Sequence, residues 1–202
     1  MYRWIRRISC LCIGLWGCLL ALEAEDNNRY RVTFDTGTLV LIPLQDNAVR
    51  IQYVEGVKND LPEWVYVIPE NTNVRSRWKC KDNEAILRLK QMSVDINRLT
   101  QQVTVKDKQG KIVVSVKAHE LKDATVQKEP THEATLVLNS PEDEYLFGLG
   151  QFQDGYLNVR GLTRRLTQVN TQIAIPFLLS NKGYGLLWNN YGLTDFNPAD
   201  KK

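Results

Sequence analysis

The sequence predicts an all-β protein, an antiparallel β-sandwich, and three observations carry that prediction. Apolar and β-branched residues come in short runs, some with strict two-residue alternation. Turn-forming residues separate the runs. Beyond residue 24, no segment sustains the 3.6-residue apolar period of a helix.

The elements follow in order. Residues 38–44 (TLVLIPL) are apolar and come after the turn signal Asp35-Thr36-Gly37. Residues 48–54 (AVRIQYV) alternate, with Val49, Ile51 and Tyr53 on one face and Arg50 and Gln52 on the other, as a half-buried strand does. Residues 63–68 (EWVYVI) form another strand, stopped by Pro69. Strands at 85–89 and 92–96 come next. The run 101–117 reads as a hairpin, turning at Asp107-Lys108-Gln109-Gly110 with glycine where a positive φ is needed. The polar stretch 118–133 reads as a long surface connection, and 134–138 as a further strand. Tyr145 and Phe147 flank Leu146 in a short strand, and 173–179 and 184–188 close the series. The chain shows no internal repeat and no low-complexity tract.

Residues 1–24 stand apart. Arg3, Arg6 and Arg7 precede an uncharged run over 8–22, and small residues lead to Glu25-Asp26. That is the layout of a cleaved signal peptide, so residues 25–202 form the mature domain and the location is secreted or periplasmic. The run falls short of the roughly 20 residues that a membrane span needs. Leu15-Trp16-Gly17-Cys18 also permits a lipid anchor at Cys18 and an outer-surface lipoprotein, although Trp16 fits that motif poorly.

The chain has 26 basic and 23 acidic residues, and three of the basic residues fall in the leader. The remainder is close to neutral, which gives no footprint for nucleic acid. Three of the four cysteines also lie in the leader, leaving Cys80, which is expected to be a buried small hydrophobe. His119 and His132 are isolated, so neither a metal site nor any cofactor is expected.

Candidate chemistry centres on residues 144–155, EYLFGLGQFQDG. A dinucleotide fingerprint would need glycine at 153, where the chain has Gln153, and no phosphate-loop lysine follows. Glu142, Asp143, Glu144 and Asp154 are the nearby carboxylates. Glycoside hydrolysis needs two such groups across a pocket. Residues 141–144 instead read as a solvated turn, and Gly148 and Gly150 as a structural turn or a close backbone approach.

A wider pattern gives these residues a context. EYLFGLGQ at 144–151, Gly161, QVNTQIAIPFLLS at 168–180 and KGYGLLWNN at 182–190 follow one another. In order and spacing they resemble the N-terminal domain of glycoside hydrolase family 31, which contains α-glucosidases and α-xylosidases, and they are most similar to the α-xylosidase-like members. The stretch MSVDINRLTQQVTVKDKQGKIVVS, residues 92–115, resembles the family's hairpin. Gln151 departs from the glutamate of many members.

The resemblance implies a galactose-mutarotase-like β-sandwich packed on a (β/α)₈ catalytic barrel, which acts on α-linked oligosaccharides through two aspartates. Neither Met1 nor Met92 stands in a Trp-x-Asp-Met nucleophile motif, so no catalytic residue is expected in this chain, which reads as a piece ending before the barrel. The resemblance further implies that Asn170, Thr171 and Gln172 reach the rim of the sugar pocket. Gly183 and Gly185 join Gly148 and Gly150 as structural glycines.

Trp188 is expected in the core, and Tyr191 is a possible stacking residue. Two other functions fit the same composition. One is a free carbohydrate-binding module using Trp64, Trp78 or Tyr156 as a platform, and the other is a cell-surface interaction protein.

Overall fold

Short alternating runs form strands because every second side chain can leave water while the ladder satisfies the backbone. The computed structural model describes residues 28–55 and 74–197, and among these there is no helix. Fourteen strands are present among the described residues. The leader expected over residues 1–24, the strand expected at 63–68 and Trp64 lie outside the described residues.

A three-stranded antiparallel sheet holds β1 (Tyr30–Phe34), β2 (Gly37–Gln45) and β3 (Ala48–Val54) in that order. A six-stranded sheet follows in sequence order: β4 (Arg77–Cys80), β5 (Glu84–Arg88), β6 (Met92–Asn97), β7 (Val103–Asp107), β8 (Ile112–Val126) and β9 (Glu129–Asn139). Tyr30, Val32, Leu39 and Leu41 from the first sheet share one core with Ala85, Leu87, Val94, Ile96 and Val103 from the second. Register puts Leu87 opposite Val94 and Ile96 opposite Val103, so the apolar alternation of each strand meets that of its neighbour. Each large side chain buried here contributes about 1.5–3 kcal/mol.

The expected turn at 107–110 is present. Asp107 Oδ1 accepts the amides of Gln109 and Lys111, each at 2.9 Å, and Gly110 has φ 85°.

The stretch 118–133 is not a loose connection. β8 and β9 continue through it as a ribbon with a two-residue turn at Gln127 and Lys128, where φ is 51° and 72°. Two consecutive positive φ values match the twist of a tight hairpin. The ribbon looks like a loop in sequence because most of it lies exposed, so its residues are polar on both sides. At its base the His119 ring lies 4.6 Å from that of Tyr53, and burial lowers the histidine pKa.

Cys80 is exposed, not buried. It ends the edge strand β4, past the point where Trp78 stacks on Tyr30 at 5.2 Å.

The C-terminal part has a separate core. β10 (Leu146–Gln151), β12 (Ile173–Ser180) and β13 (Tyr184–Leu187) pair in the order β10-β12-β13, and β11 (Arg164–Leu166) pairs with β14 (Thr194–Phe196). Leu146, Leu149, Val159, Leu166 and Leu178 fill this core. Trp188 is half-buried just beyond β13 and belongs to neither core, which corrects the expectation for it.

Gly148 and Gly150 do not form a turn. Both sit inside β10, and the register slips between them, so that Gly148 faces Leu178 while Gly150 faces Ala174. The extra residues of β12 include Pro176, and a proline in a central strand is tolerated where the ladder is interrupted. A Cβ on Gly148 would stand 2.3 Å from the Phe177 carbonyl oxygen, and one on Gly150 would stand 2.0 Å from that of Ile173. Leu149 between them also has a positive φ, 68°, and is buried. Gly183, with φ 89°, does turn the chain between β12 and β13. Gly185 makes room for the Phe177 ring, whose Cζ would lie 2.7 Å from an added Cβ.

Candidate functional site

The site grows from the start of β12. The chain leaves β11 and reverses at Asn170 and Thr171, with Val169 and Gln172 bridged on either side. Both bridge hydrogen bonds are 3.3 Å long. Side chains strengthen this narrow turn. Gln172 Nε2 donates to Thr167 O at 3.0 Å and to Thr167 Oγ1 at 2.7 Å, and Gln168 Oε1 accepts the Ala174 amide at 3.1 Å. Gln172, expected at a sugar rim, therefore directs its amide back into the loop. Asn170 and Thr171 are exposed at the tip. Neither side chain has a hydrogen-bond partner among the described residues, so an amide and a hydroxyl are available to a ligand that needs both donors and acceptors.

Beyond the turn, β12 presents an apolar row to solvent. Ile173, Ile175, Phe177 and Leu179 are 40–50% exposed, and Leu187 of β13, paired with Phe177, is 37% exposed. Phe147 of β10 is opposite Leu179. Alternate residues of β12 face inward, Leu178 and Ser180 among them. The strand is thus apolar on both faces, as strands covered on both sides are. Scattered exposed apolar residues are ordinary, but a contiguous row of them marks a contact surface.

Glu144 corrects the expectation of a solvated acidic turn. It is 2% exposed and accepts the Ser180 hydroxyl at 2.6 Å and the Tyr184 hydroxyl at 2.8 Å. Burial pushes its pKa up, but hydrogen bonds from Ser180, Tyr184 and Ser140 and the Lys182 charge outweigh this and hold it below the usual value. Burial and the adjacent carboxylate push the Tyr184 pKa strongly up. Around this centre, Tyr145 N donates to Asn181 Oδ1 at 2.8 Å, and Asp143 pairs with Lys182. The acids at 143–144 therefore clasp the β12–β13 turn.

Asp154 is likewise engaged, in an ion pair with Arg164, whose guanidinium lies 4.3 Å over the Phe152 ring. Neither partnership is legible in the sequence. Among the described residues no cluster of His, Cys, Asp and Glu could hold a metal. Of the platform candidates, Trp78 is occupied by its stack on Tyr30, while Tyr156 and Tyr191 are exposed.

Residues 38–197 match the glycosyl hydrolase 31 N-terminal galactose mutarotase-like domain. The chain belongs to this family. An α-xylosidase of Saccharolobus solfataricus is 32% identical over 160 residues, which are 74% of this chain and 22% of that protein. In fold, a family 31 α-xylosidase from Xanthomonas citri superposes with TM-score 0.76 at 24% identity, covering 83% of this chain and 19% of that one. A family 31 α-xylosidase from a soil metagenome, complexed with xylose, gives TM-score 0.71 at 24% identity, over 83% of this chain and 28% of that one. The family 31 domain described here thus spans about a fifth of the curated relative, and its relatives are larger enzymes.

Proposed function

We propose that this chain is the accessory N-terminal domain of an exported family 31 α-glycosidase that acts on an α-xyloside or α-glucoside. It braces the catalytic barrel and supplies the outer rim of the sugar site, and it is inactive alone. The observation that carries this reading is the bare row Ile173, Ile175, Phe177 and Leu179, which begins directly after the Asn170–Thr171 turn. Docking that row against a second body places the turn at the seam between the two. There, the Asn170 amide and Thr171 hydroxyl meet sugar hydroxyls at the entrance. The engagement of Asp143, Glu144 and Asp154 in structural contacts agrees with chemistry supplied elsewhere.

Export rests on the leader at residues 1–24 and is tested by N-terminal sequencing of the mature protein. The accessory role is tested with the purified chain and nitrophenyl α-xyloside or α-glucoside. No hydrolysis is expected, and turnover abolished by Asp154→Asn or Glu144→Gln would overturn the reading.

A further inference from the structure

The β8–β9 ribbon runs on past the sheet that supports it. β7 pairs with β8 only from Ile112 to Val116, whereas β9 follows β8 as far as Val126. Over residues 117–126 the side of β8 that faced β7 therefore carries no ladder partner among the described residues. Most side chains here are exposed as well, those of Glu120, Lys122 and Asp123 among them. A two-stranded ribbon on its own is marginally stable in water. The ring contact of His119 with Tyr53 secures the base and leaves the length beyond it uncovered.

The two edges of the ribbon differ. On β9, Pro130 has no amide to donate, which protects a free edge from pairing. β8 has no proline, and its charges form a symmetric pattern about Leu121. Outwards from Leu121 stand Glu120 and Lys122, then His119 and Asp123, then Ala118 and Ala124. When two copies of one strand pair antiparallel about a two-fold axis, residues equidistant from the axis lie opposite each other. With Leu121 on the axis, Glu120 of each copy meets Lys122 of the other, Asp123 meets His119, and Ala118 meets Ala124. Moving the axis by one residue sets Glu120 against Glu120 or Lys122 against Lys122. Like charges directly opposite one another are unfavourable, so the pattern selects the register centred on Leu121 over its neighbours.

We propose that the free edge of β8 pairs antiparallel with the same edge of a second copy of this chain, about a two-fold axis at Leu121. Backbone hydrogen bonds supply the affinity, and the symmetry-related Glu120–Lys122 pairs select the partner and the register. The contact uses neither the β12 row nor the Asn170–Thr171 turn. It is compatible with the docking proposed above and does not rest on it.

Sedimentation velocity of the full chain tests this. It is repeated with Ile175→Lys and Phe177→Glu in place, so that the β12 row cannot drive association. A dimer is expected in both cases. Glu120→Lys sets lysine opposite Lys122, and Lys122→Glu sets glutamate opposite Glu120. Each should raise the dimer Kd at least about tenfold. An equimolar mixture of the two variants should recover the unaltered Kd, because each supplies the charge that the other lacks. Both positions are exposed, so the circular dichroism of the variants should match that of the unaltered chain. The proposal is overturned by a monomer at every concentration, by either variant dimerising as tightly as the unaltered chain, or by a mixture no tighter than the separate variants. Association that vanishes on changing the β12 row alone would assign the self-contact to that row and also overturn it.

Discussion

The Ser180 hydroxyl donates to the Glu144 carboxylate at 2.6 Å, joining residues 36 positions apart in the sequence. Tyr184 adds a second donor to the same oxygen. Through this contact the segment entering β10 is fastened to the β12–β13 turn that lies beside the apolar row.

Removing the carboxylate leaves two hydroxyl groups without their charged acceptor. Glu144→Ala is expected to cost at least about 2 kcal/mol, measured by urea unfolding at neutral pH. The pH dependence has a definite sign. The folded pKa lies below the unfolded value of 4.5, so the stabilisation is complete above 4.5 and is lost as pH falls through the folded value. Glu144→Gln should therefore show a flatter stability profile than the unaltered chain in the window below pH 4.5. Equal slopes would mean that the clasp is not ionic.

Gly150 and Gly155 both have positive φ but different surroundings. An added Cβ at Gly150 meets the Ile173 carbonyl oxygen at 2.0 Å, while at Gly155 nothing lies within 4 Å. Gly155→Ala should cost about 1–2 kcal/mol, for the backbone conformation alone. Gly150→Ala should cost clearly more, because β10 and β12 must also separate. Thermal melts of the two variants make the comparison.

Arg164 anchors the loop that carries Tyr156. Arg164→Met should lower stability by about 3 kcal/mol, since it strands Asp154 and empties the space over Phe152. Limited proteolysis separates this from a global effect. Chymotrypsin should cleave after Tyr156 much faster in the variant under conditions where the rest of the domain stays intact.

The exposed row of β12 should behave as bare interface. Ile175→Lys and Phe177→Glu are expected to change stability by no more than about 1 kcal/mol. They should also reduce dye binding to apolar surface and light scattering of the isolated chain. Unchanged dye binding would indicate that the row is not the sticky surface.

Much of the fold was legible because it follows from local alternation. Residues 48–54 form a strand with the expected bounds, and the Asp107–Gly110 turn has its glycine where it was needed. The strand Tyr30–Phe34 is not among the expected elements although its burial alternates, and the three-residue strands β11 and β14 are too short to show a period. The ribbon at 118–133 differs from the expected loop because polar residues on both faces of an exposed hairpin give no apolar signal. Of the site, the Asn170–Thr171 turn was recognisable from the motif around it. The clasp on Glu144 and the Asp154–Arg164 pair were not, because each depends on residues distant in sequence that the fold brings together. A run such as Pro141-Glu142-Asp143-Glu144 does not reveal that its last member is buried.

The central claim, that the β12 row docks a family 31 catalytic body, is tested most directly by transplantation. Residues 38–197 would replace the matching segment of the Saccharolobus solfataricus α-xylosidase, with and without Ile175→Asp and Phe177→Asp. The account predicts a soluble chimera that melts well above its doubly substituted version, and loss of α-xyloside hydrolysis in that version. A doubly substituted chimera as stable and as active as its parent would contradict the claim.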